Sequence, residues 1–229
     1  LSMTGSLGKG MGGEDPDWEH IGMGGHSYGA FTTMVIGGAT LKRPDGLVSY
    51  ADERADALLV LSGQGPGRGG LHERSWEDLP RPMLSMTGSL DKGMGGEDPD
   101  WRKRNYELSP PGDKYLVFIE GARHSTFVGK KGLGRELTES QKQAMRERLK
   151  ERFGDRFSDR QIDRFIERRA AKRQEPEGLG DEEQMFEWVK ACTLAYWDAY
   201  LKDDAKAAAF LKSDALLKAS NGDVSVERK

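Results

Sequence analysis

The chain has 229 residues, 36% of them hydrophobic and 32% charged, enough apolar material for the core of one sizeable domain and enough charge to require a solvated portion. A formal net charge of −3 marks no strongly acidic or basic partner for the protein as a whole. Cys192 is the only cysteine, which excludes an intrachain disulfide. No apolar run is long enough to cross a bilayer, and no basic-then-apolar signal sequence opens the chain; because the chain starts at Leu1, its compartment stays undefined.

The first feature in chain order is a repeat. Residues 1–18 read LSMTGSLGKGMGGEDPDW and residues 84–101 read LSMTGSLDKGMGGEDPDW, so the copies differ only where the first has Gly8 and the second Asp91. Two distant copies do not make a solenoid, which needs several stacked units. Near-identity that stops after Trp18 and Trp101 reads as a recent duplication or a joining of sequences.

From His20 the pattern becomes regular. His20–Gly24 is a short strand candidate, and Tyr28–Thr40 (YGAFTTMVIGGAT) reads as a helix of small residues packed closely on a sheet. Between them stands Gly25-His26-Ser27-Tyr28-Gly29, a G-x-S-x-G. The flanking glycines permit the sharp strand-to-helix turn that exposes a nucleophilic serine, and the strand before it and helix after it give the motif its weight. The Tyr28 amide would then sit at a helix N-terminus, placed to donate to an oxyanion.

Three apolar runs follow: Ala57–Leu61, Pro82–Thr87 and Tyr115–Ile119. Runs without alternation suit parallel strands covered on both faces. A serine nucleophile needs a histidine to take its proton and a carboxylate to orient that histidine. In the order Ser, acid, His, the acid and base lie in loops just past later strands. Asp91 follows PMLSMTGSL and His124 follows YLVFIEGAR, so both fit. His20, His26 and His72 compete for the base, but the first two flank the elbow strand and His72 precedes the acid.

Together, GHSYGAFTT as a nucleophile elbow, PMLSMTGSLD as an acid strand and loop, and FIEGARHSTF as a histidine loop resemble the dienelactone-hydrolase-like serine hydrolases of the α/β-hydrolase fold. That family includes esterases and relatives resembling platelet-activating-factor acetylhydrolase. The resemblance spans about Ile21 to Phe127 plus a closing helix, placed at residues 181–202. It implies an α/β fold with a mostly parallel sheet flanked by helices, a triad of Ser27, Asp91 and His124, and Tyr28 as an oxyanion-hole amide. The implied substrate is a small-molecule or lipid-like ester, with no metal or organic cofactor required. About four strands expected before the elbow have no counterpart here, so the reading expects an amino-terminally incomplete member lacking the loop that supplies the second oxyanion amide. An elbow strand at an open sheet edge would be a site for self-association. The main rival is a weak or inactive fragment serving as a binding or structural protein.

Residues 130–178 read as a charged helical insertion before the last helix, within one domain spanning 1–229. Thr138-Glu139-Ser140-Gln141 and Ser158-Asp159-Arg160-Gln161 are capping boxes. Met145, Leu149 and Phe153 share one face of the first helix, and Ile162, Phe165 and Ile166 one face of the second. Interleaved acidic residues and the lack of an aromatic platform argue against nucleic acid. Met185, Val189, Cys192, Tyr196 and Tyr200, at helical spacing, read as core. Glu97-Asp98-Pro99-Asp100 reads as a surface turn rather than a calcium loop. Gly63–Gly67 lacks the ending of a P-loop and reads as a loop near the active face.

Overall fold

The computed structural model describes residues 17–129, 138–153, 158–171 and 181–229. The first repeat copy through residue 16, both ends of the charged insertion and the link between its helices lie outside the described residues. The strands, in chain order, are β1 (Gly22–His26), β2 (Leu41–Arg43), β3 (Gly46–Val48), β4 (Ala57–Leu61), β5 (Met83–Gly88), β6 (Lys114–Ile119) and β7 (Val224–Arg228). The helices are α1 (Tyr28–Ile36), α2 (Arg104–Glu107), α3 (Glu139–Phe153), α4 (Asp159–Ala171), α5 (Glu182–Leu201), α6 (Ala205–Leu211) and α7 (Ala215–Ala219).

The architecture is α/β: a mixed, mostly parallel five-strand sheet packed against helices. Its order is β1-β4-β5-β6-β7, parallel from β1 to β6, with β7 antiparallel to β6; β2 and β3 form a separate hairpin. The two faces carry separate cores. On one, Ala30, Met34 and Val35 of α1 cluster with Leu58, Val60, Met83, Trp76 and Leu79. On the other, Met185, Val189, Cys192 and Tyr196 of α5 cover Ala57, Leu59, Leu84, Met86, Tyr115, Val117 and Ile119. Alternate residues of β4 thus enter opposite cores; in β5 Leu84 and Met86 enter one and Met83 the other, with Ser85 and Thr87 buried on the same side as Met83. Tyr200, at the end of the same helical stripe, is only partly buried.

Several boundaries differ from the sequence reading. The elbow strand starts at Gly22, not His20, because its ladder with β4 begins at Gly22↔Ala57. Just before it, the Ile21 N–H donates to the Asp56 carboxylate and the Asp56 N–H to the Ile21 carbonyl. Helix α1 stops at Ile36, and the chain leaves through Gly38, whose φ of 119° favours glycine. The helix expected to close the chain is followed by α6, α7 and β7, so the insertion does not precede the last helix. At the other edge of the sheet, β1 pairs only with β4 among the described residues.

Within the insertion, α3 and α4 are joined by ion pairs from Arg146 to Asp163 and from Lys150 to Asp159. The Ser158 box forms as expected in one direction: the Ser158 N–H donates to the Gln161 side chain at 2.9 Å. Ile162 and Ile166 are buried, whereas Phe165 is 48% exposed, so it leaves the apolar stripe assigned to it.

Candidate active site

Ser27, Asp91 and His124 follow β1, β5 and β6 respectively. Because these strands run parallel, all three residues come to the same end of the sheet. In open α/β sheets that carboxyl end is where sites are built.

Ser27 has φ 57° and ψ −114°, a conformation that non-glycine residues rarely adopt and that costs about 1–3 kcal/mol. It is fixed from both sides: the Ser27 N–H donates to the Leu61 carbonyl at 2.9 Å, and the Phe31 N–H donates to the Ser27 carbonyl at 3.1 Å. Ser27 occupies the N-cap position of α1, yet its side chain caps none of the helix amides. The hydroxyl is therefore not committed to the helix, and the first-turn amides, Tyr28 first, are left facing outward. The flanking glycines are unequal. A Cβ on Gly25 would lie within 2.8 Å of the Gly29 Cα, whereas one on Gly29 would meet nothing within 4 Å. The close backbone approach thus demands glycine at 25 alone.

Asp91 is fully buried, and its two carboxylate oxygens have different partners. The Thr87 hydroxyl donates to Oδ2 at 3.0 Å. Oδ1 lies 2.9 Å from His124 Nδ1 and 2.9 Å from Arg102 Nε. An ionised carboxylate only accepts, so His124 presents its Nδ1–H to the acid and keeps Nε2 free for proton transfer. The His124 side chain is 25% exposed, which leaves its imidazole accessible beside a buried carboxylate. Its loop is tied back on both sides, by the Arg123 N–H donating to the Thr126 hydroxyl and by an ion pair of Arg123 with Glu182 at the start of α5.

Asp91 and His124 are thus joined directly. No hydrogen bond connects Ser27 Oγ with His124 among the described residues; the elbow meets the histidine loop through His26. His26 Nε2 lies 2.8 Å from the His124 carbonyl oxygen, and the two rings are 4.5 Å apart at their centroids. A carbonyl only accepts, so His26 carries its proton on Nε2. Burial, and next the neighbouring His124, push the His26 pKa below its ordinary value of 6.5, which keeps the ring neutral for this contact. The other competitors for the base role are occupied elsewhere: His20 pairs with Asp17, and His72 Nδ1 accepts the Arg74 N–H.

Two residues in this arrangement were not anticipated from the sequence as parts of the site. One is His26, weighed only as a base. The other is Arg102, which is almost fully buried. Arg102 Nε donates to the Asp91 carbonyl, Nη2 to the Lys92 carbonyl, and Nη1 to the carbonyls of Ser62 and Gly63. The repeat contained a signal for it: agreement between the copies ends at Arg102, where the first has Glu19. The acidic run nearby is structural, with Asp98 capping the short helical turn Pro99–Lys103 and Glu97 paired with Arg68. No group of three or more metal-ligating side chains occurs among the described residues. Neither models of known protein families nor the curated proteins give a match to this chain.

Proposed function

We propose that this protein is a serine hydrolase of carboxylic esters, acting through Ser27, His124 and Asp91. The observation that carries the reading is the strained, uncapped Ser27 at the same sheet end as a histidine whose Nδ1 is bound to a buried carboxylate. The elbow, acid-loop and histidine-loop resemblance to the dienelactone-hydrolase-like hydrolases supports the same chemistry.

In this mechanism Ser27 Oγ attacks the ester carbonyl carbon while His124 Nε2 takes the hydroxyl proton. The carbonyl π electrons move to oxygen, and the Tyr28 N–H donates to that oxyanion. Collapse of the tetrahedral intermediate breaks the bond to the alkoxy oxygen. His124 returns its proton to the departing alcohol, leaving an acyl group on Ser27. Water, deprotonated by His124, then attacks the acyl carbon; collapse of this second tetrahedral intermediate breaks the bond to Ser27 Oγ, which takes back the proton held by His124 as the acid is released. Asp91 stabilises the imidazolium at each stage and takes no proton. The steps call on water as the sole co-reactant.

A second reading, a binding or structural protein on the same fold, is favoured by the position of β1. It lies at the sheet edge among the described residues, so the elbow itself supplies only the Tyr28 amide as an oxyanion donor. Lack of one donor typically costs about 10²–10³ in rate. Turnover of p-nitrophenyl acetate, whose good leaving group demands least of the oxyanion hole, distinguishes the two. The esterase reading expects slow hydrolysis that Ser27→Ala abolishes. Equal rates for the parent and that variant would remove the elbow from the reaction.

A further inference from the structure

We propose that Arg102 is a positioning residue for the acid: it holds the Asp91 carboxylate in the orientation that meets His124. The inference rests on reading Asp91 and His124 as acid and base of one triad. A guanidinium offers five N–H donors in a rigid planar fork, and Arg102 spends them on two loops. Nε donates to the Asp91 backbone carbonyl and forms an ion pair with Oδ1 at 2.9 Å, and Nη2 donates to the Lys92 carbonyl in the loop after β5. Nη1 meets Ser62 and Gly63 in the loop after β4. The acid loop is thereby pinned to the neighbouring strand's loop, at a place where Ser62 itself has a φ of 52°.

The Asp91 carboxylate is fully buried, so its orientation is set by the protein groups that meet it. Oδ2 is fixed by Thr87 and Oδ1 by His124 and Arg102. Without Arg102 the carbonyls of Ser62, Gly63, Asp91 and Lys92 lose the donor that gathers them, and Oδ1 loses its second anchor. A lysine would restore the charge but not the fork, since its ammonium acts as one point with three donors. The charged groups facing the acid are Arg102 and, when protonated, His124; His26 contributes through its contact with the His124 carbonyl.

The test uses the full chain with Arg102→Met, Arg102→Lys, Asp91→Asn and the double variant Asp91→Asn/Arg102→Met, each first checked for cooperative thermal unfolding. Two readouts are taken: the far-downfield proton resonance of His124 Nδ1–H in the resting protein, assigned by its loss in His124→Gln, and kcat and KM for p-nitrophenyl acetate. The expected result is that Arg102→Met loses the resonance and about 10²-fold in kcat, the scale of a misplaced catalytic group, with KM little changed. Arg102→Lys should recover only part of either. In the Asp91→Asn background, Arg102→Met should cost nothing further in kcat, because its effect passes through the acid. A folded Arg102→Met with the parental resonance, or an equal loss of kcat in both backgrounds, would overturn the inference. So would a parent without the resonance. If Arg102→Met does not fold, Arg102→Lys decides by the same resonance, and an undiminished signal overturns the proposal. A parent that shows the resonance but hydrolyses no ester contradicts the esterase reading, while the resonance in the variants still decides the role of Arg102.

Discussion

At the residue scale, the elbow is a contest between local strain and close packing. Gly25 lets two backbones approach where any Cβ would collide with Gly29, while Gly29 opens onto free space. Gly25→Ala should therefore destabilise the protein by about 1–3 kcal/mol, as overpacking does. Gly29→Ala should be neutral or stabilise by up to about 1 kcal/mol through lower unfolded-chain entropy. Urea midpoints of the two variants check this; similar midpoints would mean that the close approach of β1 and α1 is not as described. Both glycines look equivalent in the G-x-S-x-G, and only the three-dimensional turn separates them. Arg102 was less legible still, because its role exists only once the loops after β4 and β5 converge on it.

His26 yields a second prediction at this scale. Its folded-state pKa lies below 6.5, chiefly through burial and next through His124. As the pH falls below that ordinary value, the unfolded chain therefore takes up a proton that the folded chain refuses. The stability associated with a neutral His26 is present above about pH 6.5 and is lost as the pH falls toward the folded value. Asp91 opposes this loss and Arg102 adds to it, each weakly. His26→Gln keeps an N–H donor for the His124 carbonyl but removes the titration. Between about pH 7.5 and about pH 5.5 its urea midpoint should fall less than the parent's. His20, whose pKa Asp17 raises, acts in the opposite sense but is common to both proteins and cancels in the difference. Parallel pH profiles would contradict the assignment.

At the scale of elements, the runs that became β4, β5 and β6 were legible because strands buried on both faces read as largely apolar runs, with Ser85 and Thr87 the buried polar exceptions in β5. The strand β7 was not, since Val224–Arg228 is short and its pairing with β6 is set by the distant Tyr115–Ile119 segment. Its turn signal was present in Asn221 and Gly222, both with positive φ. Likewise Pro44-Asp45 before Gly46 carries the composition of the turn joining β2 to β3. The arm helices α3 and α4 begin at the expected caps and are tied to each other by ion pairs. Deleting about residues 133–174 and bridging with a short linker should therefore leave ester turnover within a few-fold of the parent. A soluble, cooperatively folded deletion with no turnover would show that the arm builds part of the site.

At the scale of the whole molecule, the two sheet edges are unlike. At one, β7 runs antiparallel, and just past it the Lys229 N–H and carbonyl still bond to Lys114. At the other, β1 lies beside an apolar groove lined by Leu59, Leu61, Trp197 and Leu201. A strand edge favours association; because β1 has no outer partner strand among the described residues, we expect two copies to meet there at high concentration. Sedimentation velocity over a concentration series should show a rising average mass, and an unchanging monomer would contradict that expectation. The parallel order of β1, β4, β5 and β6 also makes the catalytic proposal possible, by delivering three sequence-distant loops to one end of the sheet.

The central claim is that Ser27 is a nucleophile activated by His124 and oriented through Asp91. Its most direct test is labelling of the folded parent with a fluorophosphonate, followed by peptide mass spectrometry, with His124→Gln and Asp91→Asn run alongside. The account predicts a single adduct on Ser27 in the parent, formed far more slowly in both variants, with the loss for Asp91→Asn approaching about 10⁴-fold as in serine-protease triads. A folded parent that stays unlabelled, or an adduct on another residue, would contradict it.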